Sequence, residues 1–107
     1  MFELLHYLTP AGDDPFQAWI DELKDLRARV AVLRRIDRMS AGNFGDHKFL
    51  RDGVWELRVD FGPGYRVYYG KHRKAVLILL CAGAKRTQNS DIDRAVGFLA
   101  EFKRRRH

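Results

Sequence analysis

The chain has 107 residues, 20 Lys+Arg against 14 Asp+Glu, a formal net charge of +6 and 46% apolar residues. That apolar share argues against a disordered chain, and the length fits one domain over 1–107 that buries about two-thirds of its unfolded surface, with little room for a deep cofactor cleft. The positive balance favours polyanions, nucleic acid first, although a solvated basic surface has the same composition.

The N-terminus has neither a basic leader nor an apolar signal core, and no apolar stretch is long enough to span a bilayer. A cytoplasmic location is expected. Phe2 to Leu8 is short and apolar-rich and is broken by Thr9-Pro10-Ala11-Gly12, so it reads as a first strand. Asp14-Pro15 starts a helix: Asp14 can cap, and Pro15 suits the first helical position. Phe16, Trp19, Ile20, Leu23 and Leu26 then share a helical face, and Val30, Leu33, Ile36 and Met39 continue at helical spacing up to Gly42. One helix of that length is unusual in a compact domain, so two are expected, with a break near Asp25–Arg27. Arg27, Arg34, Arg35 and Arg38 fall opposite the apolar positions of the second. They fit a solvated face as well as an interaction surface.

After Gly45 the period changes to two. Over Val54–Phe61 apolar and charged residues alternate, which marks a half-buried strand. Gly62-Pro63-Gly64 reads as a hairpin turn, and Tyr65-Arg66-Val67-Tyr68-Tyr69 as the returning strand. A three-residue loop pairs Phe61 with Tyr65, Asp60 with Arg66 and Arg58 with Tyr68. This register gathers Glu56, Arg58, Asp60, Arg66 and Tyr68 on one face. Lys71-His72-Arg73-Lys74 is a polar turn. Val76 to Ala82 is apolar on both faces and reads as the central strand. It carries the only cysteine, Cys81, which excludes disulfides and cysteine-based metal sites and reads as a buried, inert thiol. Gly83 to Gln88 reads as a loop, and Asn89 or Ser90 as the cap of a last helix bearing Ile92, Ala95, Val96, Leu99 and Phe102. The tail Lys103–His107 reads as a solvated end. The fold expected is α+β: βαα, a mostly antiparallel meander of about four strands, and a C-terminal helix.

No phosphate-binding glycine loop, zinc spacing or serine nucleophile elbow is present, and no metal or cofactor is expected. One constellation remains: Glu56, Arg58, Arg66 and Tyr68 on a sheet face, with Lys85 and Arg86 just after the central strand. Metal-free RNA cleavage needs a base for the 2′-hydroxyl, fixed cations for the phosphorane and an acid for the leaving 5′-oxygen. Arginine suits the second role, and each such donor supplies about 3 kcal/mol of transition-state stabilisation. A salt-bridged sheet surface would carry the same residues.

The stretch Asp52 to Tyr69 resembles the signature of the HigB-like, phage-derived branch of the RelE/ParE toxins. Cys81-Ala82-Gly83-Ala84-Lys85-Arg86-Thr87-Gln88 with Asp91-Ile92 resembles the second block of that signature. Gly42 to Asp46 and the Trp19-centred helix match as well. The resemblance implies a RelE-like fold and ribosome-dependent mRNA cleavage through a 2′,3′-cyclic phosphate. It implies a helix-turn-helix antitoxin as partner, with operator DNA bound only through the toxin–antitoxin complex. Arg66 and Arg86 match phosphate-stabilising arginines. Arg58 matches a basic strand position of the RelE base system, although an arginine stays protonated and is a poor base. Glu56 stands where RelE has a lysine, and Ile92 where it has its catalytic tyrosine. Glu56 is then the candidate base, and Lys85, Tyr68 or His47 the candidate acid. Arg34, Arg35, Arg38, His47 and Lys48 are candidate RNA contacts. The alternatives are a ParE-like poison of DNA gyrase and a non-catalytic nucleic-acid-binding module.

Overall fold

A computed structural model describes residues 1–105. The elements run β1 (Glu3–His6), α1 (Pro15–Glu22), α2 (Leu26–Ser40), β2 (His47–Arg51), β3 (Val54–Val59), β4 (Tyr65–His72), β5 (Val76–Ala84), a 3-10 turn (Lys85–Thr87) and α3 (Gln88–Arg105). The strands form one sheet in the order β1-β5-β4-β3-β2. β1 pairs parallel to β5, and the other pairings are antiparallel. This is the α+β fold expected.

Each helix has a local cause. Asp14 caps α1 by accepting from the Gln17 N–H at 3.0 Å, with Pro15 in the first turn. Asp25 caps α2 by accepting from the Arg27 N–H at 2.9 Å, and this second cap makes the break between the helices. The sheet has two buried faces. On one, Phe16 and Ile20 of α1 and Ala28, Val32, Ile36 and Met39 of α2 pack on Leu57, Val59, Val67, Tyr69, Leu77 and Leu79. On the other, Ala95, Leu99 and Phe102 of α3 cover Val54, Tyr68, Ile78, Leu80 and Cys81. Each such large apolar side chain contributes about 1.5–3 kcal/mol by leaving water.

Several expectations change in detail. β4, not β5, takes the middle of the sheet, because β1 adds to the free edge of β5. Burial on both faces still makes β5 apolar throughout. The β3–β4 turn spans five residues, Asp60–Gly64, so Val59 pairs with Tyr65, Arg58 with Arg66 and Glu56 with Tyr68. Positive φ at Gly62 and Gly64, with the Gly64 N–H donating to the Phe61 carbonyl at 2.9 Å, closes the longer loop. The register differs from that of a three-residue loop by two, an even step, so the strand residues keep their faces. Asp60 leaves the ladder for the turn.

Val30 and Leu33 do not enter the core. They are 39% and 43% exposed, because the inward face of α2 follows Ala28, Val32, Ile36 and Met39. Leu26 is exposed at the start of α2 rather than closing the face of α1. Asn89 and Ser90 lie inside α3. The turn before it is held instead by Thr87, whose hydroxyl lies 3.1 Å from the Ala84 carbonyl and 2.5 Å from the Asp91 carboxylate. The tail is not wholly free: Arg105 contacts Glu101 at 2.6 Å and donates to the Leu8 carbonyl at 2.5 Å. Arg106 and His107 lie outside the described residues.

Candidate active site

Arg58 on β3 and Arg66 on β4 are direct cross-strand partners. Like charges in that relation repel. The carboxylate of Glu56, two residues from Arg58 on the same face, compensates. Its Oε2 accepts from the Arg58 Nε at 3.0 Å, and its Oε1 lies 3.4 Å from the Arg66 Nε. A third contact comes from α3, where the Gln88 side-chain amide donates to Oε1 at 2.9 Å. Glu56 is fully buried, while the Arg66 side chain is 15% exposed and that of Arg58 33%. The carboxylate therefore anchors two guanidinium groups from beneath and leaves their outer edges toward solvent.

Those edges open on a cleft of about 310 Å³ lined by Arg58, Arg66 and Lys85, the Gly62–Gly64 turn, and the carboxylates of Asp46 and Asp60. Asp46 lies 3.6 Å from Arg58. Lys85 arrives because the end of β5 lies beside the hairpin turn, where its N–H donates to the Gly64 carbonyl at 3.2 Å. The Lys85 side chain makes no hydrogen bond or ion pair with another described residue.

The other predicted residues divide. Arg86 does not line this cleft; it is exposed on the far side of Lys85, at the rim of a second, more apolar cleft. Tyr68 shares the face of Glu56 but is fully buried under α3, and its hydroxyl has no hydrogen-bond partner among the described residues. Burial first, then the charges of Glu56 and Asp91, push its ionisation far above the usual phenol range. Neither the Glu56 carboxylate nor this phenol reaches solvent: the carboxylate holds the two arginines from beneath, and the phenol packs under α3. His47 packs its ring on Phe44 and Trp55, on the opposite sheet face, and hydrogen-bonds the Gly45 carbonyl at 3.1 Å. Lys48 is exposed opposite Glu56.

Arg34 and Arg38 are exposed on α2 and line a groove of about 690 Å³ beside β3. Arg35 is turned inward. It donates to the carbonyls of Phe44 at 3.0 Å and of Asp46 and Arg58 at 3.2 Å, fixing the chain at the entry to β2. Its burial, and then Arg38, lower its pKa. Cys81 is buried, with its thiol pushed up to about 12 by desolvation, as an inert core thiol requires.

Sequence reasoning missed Gln88 and Asp46. The available signal was that an amphipathic C-terminal helix must cover a sheet face, and hence bury whichever charged strand positions lie beneath its first turn.

A small α+β chain with paired guanidinium groups beside an exposed lysine is a setting for a phosphate. Residues 18–99 match the profile described as phage-derived protein, Gp49-like, which covers most of the chain. The chain belongs to this Gp49-like family, a toxin–antitoxin-associated family related to RelE-like toxins. It is also 49% identical over 80 residues to an uncharacterized protein of Haemophilus influenzae, covering 75% of this chain and 81% of that protein. Among the described residues, no helix is long and apolar enough to cross a membrane.

Proposed function

We propose that this chain is the toxin of a toxin–antitoxin pair, of the HigB-like branch, acting as a metal-independent endoribonuclease on mRNA at the ribosome. The observation that carries the reading is the cleft where Arg58, Arg66 and Lys85 converge over a buried carboxylate that holds both guanidinium groups. Fixed cations of this kind need no reorganisation as charge develops on a phosphorane. In this reading the 2′-oxygen of a bound nucleotide attacks the adjacent phosphorus, and the bond to the 5′-oxygen breaks. The products are a 2′,3′-cyclic phosphate and a 5′-hydroxyl. Arg58 and Arg66 neutralise the phosphoryl oxygens. Asp46, a solvent-facing carboxylate beside Arg58, takes the 2′-hydroxyl proton in place of the buried Glu56. Lys85 donates the proton to the leaving oxygen. Arg34, Arg38, Lys48 and Arg86 add contacts along the RNA. The partners in this reading are the ribosome, mRNA and a helix-turn-helix antitoxin, with operator DNA bound through the complex.

Inducible expression in a bacterium tests it. The parent chain is expected to arrest growth and fragment mRNA, and Arg66→Ala to abolish both. A fully toxic Arg66→Ala, Lys85→Ala double variant would remove the catalytic assignment. Broken DNA with intact mRNA would point instead to gyrase.

A further inference from the structure

A second cleft, of about 810 Å³, lies on the other side of the hairpin turn. Trp19 of α1 and Leu23 just after that helix form one wall, and Tyr65 of β4 with Pro63 and Ala84 the other. The Trp19 and Tyr65 rings meet edge to face with centroids 5.7 Å apart. The cleft is next to the phosphate-facing one: Pro63 and Lys85 line both.

Its polar groups are unspent. Buried tyrosine and tryptophan ordinarily hydrogen-bond their polar atoms. Here neither the Trp19 indole N–H nor the Tyr65 hydroxyl is bonded to another described residue, and neither atom is sealed from solvent. Lys85 and Arg86 at the rim have no ion-pair partner among the described residues. Two aromatic surfaces, two free edge donors and two unpaired cations suit a flat heteroaromatic ring that carries acceptors and an attached anion.

We propose that this cleft is a nucleobase subsite. It takes the base of the RNA nucleotide next to the phosphate held by Arg58 and Arg66, with Lys85 spanning the two positions and Arg86 contacting the following phosphate. The proposal rests on the RNA reading above and extends it to base recognition. A base stacked on an aromatic side chain strengthens binding about tenfold or more.

Trp55→Phe leaves Trp19 as the sole tryptophan. This protein is titrated with a 2′-O-methyl RNA trinucleotide, which cannot be cleaved, and with the same backbone made abasic. The base-bearing oligonucleotide is expected to quench Trp19 fluorescence and to bind about tenfold tighter than the abasic one. By anisotropy of labelled oligonucleotides, Trp19→Leu is expected to erase that difference and Arg86→Ala to weaken the binding of both. Equal affinities, both lost in Arg66→Ala, would overturn the base subsite and leave the phosphate cleft standing. Absence of binding by either oligonucleotide would overturn the subsite too, and the toxicity experiment then judges the phosphate cleft by itself. Quenching by an acidic peptide but not by RNA would reassign the cleft to a protein partner.

Discussion

The Gln88 side-chain amide donates to the Glu56 carboxylate at 2.9 Å, joining the first turn of α3 to the acid that lies beneath Arg58 and Arg66. The helix that closes the domain is thereby wired to the charges exposed in the cleft. Stability and site geometry share one carboxylate.

Removing that carboxylate leaves two facing arginines with no counter-charge beneath them. Glu56→Ala is expected to cost about 2–3 kcal/mol, less than for a sealed pair, because the Arg58 side chain is 33% exposed. Urea unfolding measures this as a lower midpoint at unchanged slope. A loss below about 0.5 kcal/mol, the range of a surface substitution, would contradict the anchoring role.

The α2 arginines should separate by function. Arg35 binds three carbonyls, so Arg35→Ala is expected to destabilise the fold by about 1–3 kcal/mol. Arg34→Ala and Arg38→Ala are expected to change stability by no more than about 0.5 kcal/mol. If these two contact RNA phosphates, each replacement lowers the slope of log affinity against log salt by about 1. Thermal unfolding together with salt-dependent RNA binding distinguishes the classes.

Alkaline pH should weaken the fold in a defined window. Burial raises Tyr7 and Tyr69 from 10.0 to about 12, and Tyr68 higher still. Between about pH 10 and 12 the unfolded chain gives up protons that the folded chain retains, so stability falls as pH rises. Phenolate absorbance is expected to show these tyrosines ionising together with unfolding rather than near pH 10. Tyr7→Phe is expected to shallow the fall. Glu101, lowered first by the Tyr7 hydroxyl that donates to it at 2.5 Å, has the opposite sense. Its contribution is present above the ordinary carboxylate range and is lost as pH falls through its depressed value.

Gly83 has no room for a side chain. A Cβ there would overlap the Asp91 carboxylate and lie 2.9 Å from the Thr87 hydroxyl. Gly83→Ala is expected to cost about 1–3 kcal/mol and to displace the turn carrying Lys85 and Arg86. A double variant with Asp91→Ala is expected to recover part of that loss, read from the two unfolding midpoints.

The Asp14 cap of α1, the break between α1 and α2, the strand periods and the shared face of Glu56, Arg58, Arg66 and Tyr68 were legible in the sequence, whereas the cap expected for α3 at Asn89 or Ser90 was not where the helix begins. The legible features are local: a capping carboxylate next to a proline, or an alternation whose parity survives a two-residue error in the hairpin. The depth of that face was not legible. Only the packing of α3 decided that Glu56 and Tyr68 are sealed while Arg58 and Lys85 meet solvent, because burial depends on which element lies above a strand. The same holds for Arg35, turned inward by carbonyls brought from β3 and the β2 entry, and for Arg86, carried past Lys85 to a different cleft. Charge pattern along a chain determines which residues share a surface; long-range packing determines which of them water, or a substrate, can reach.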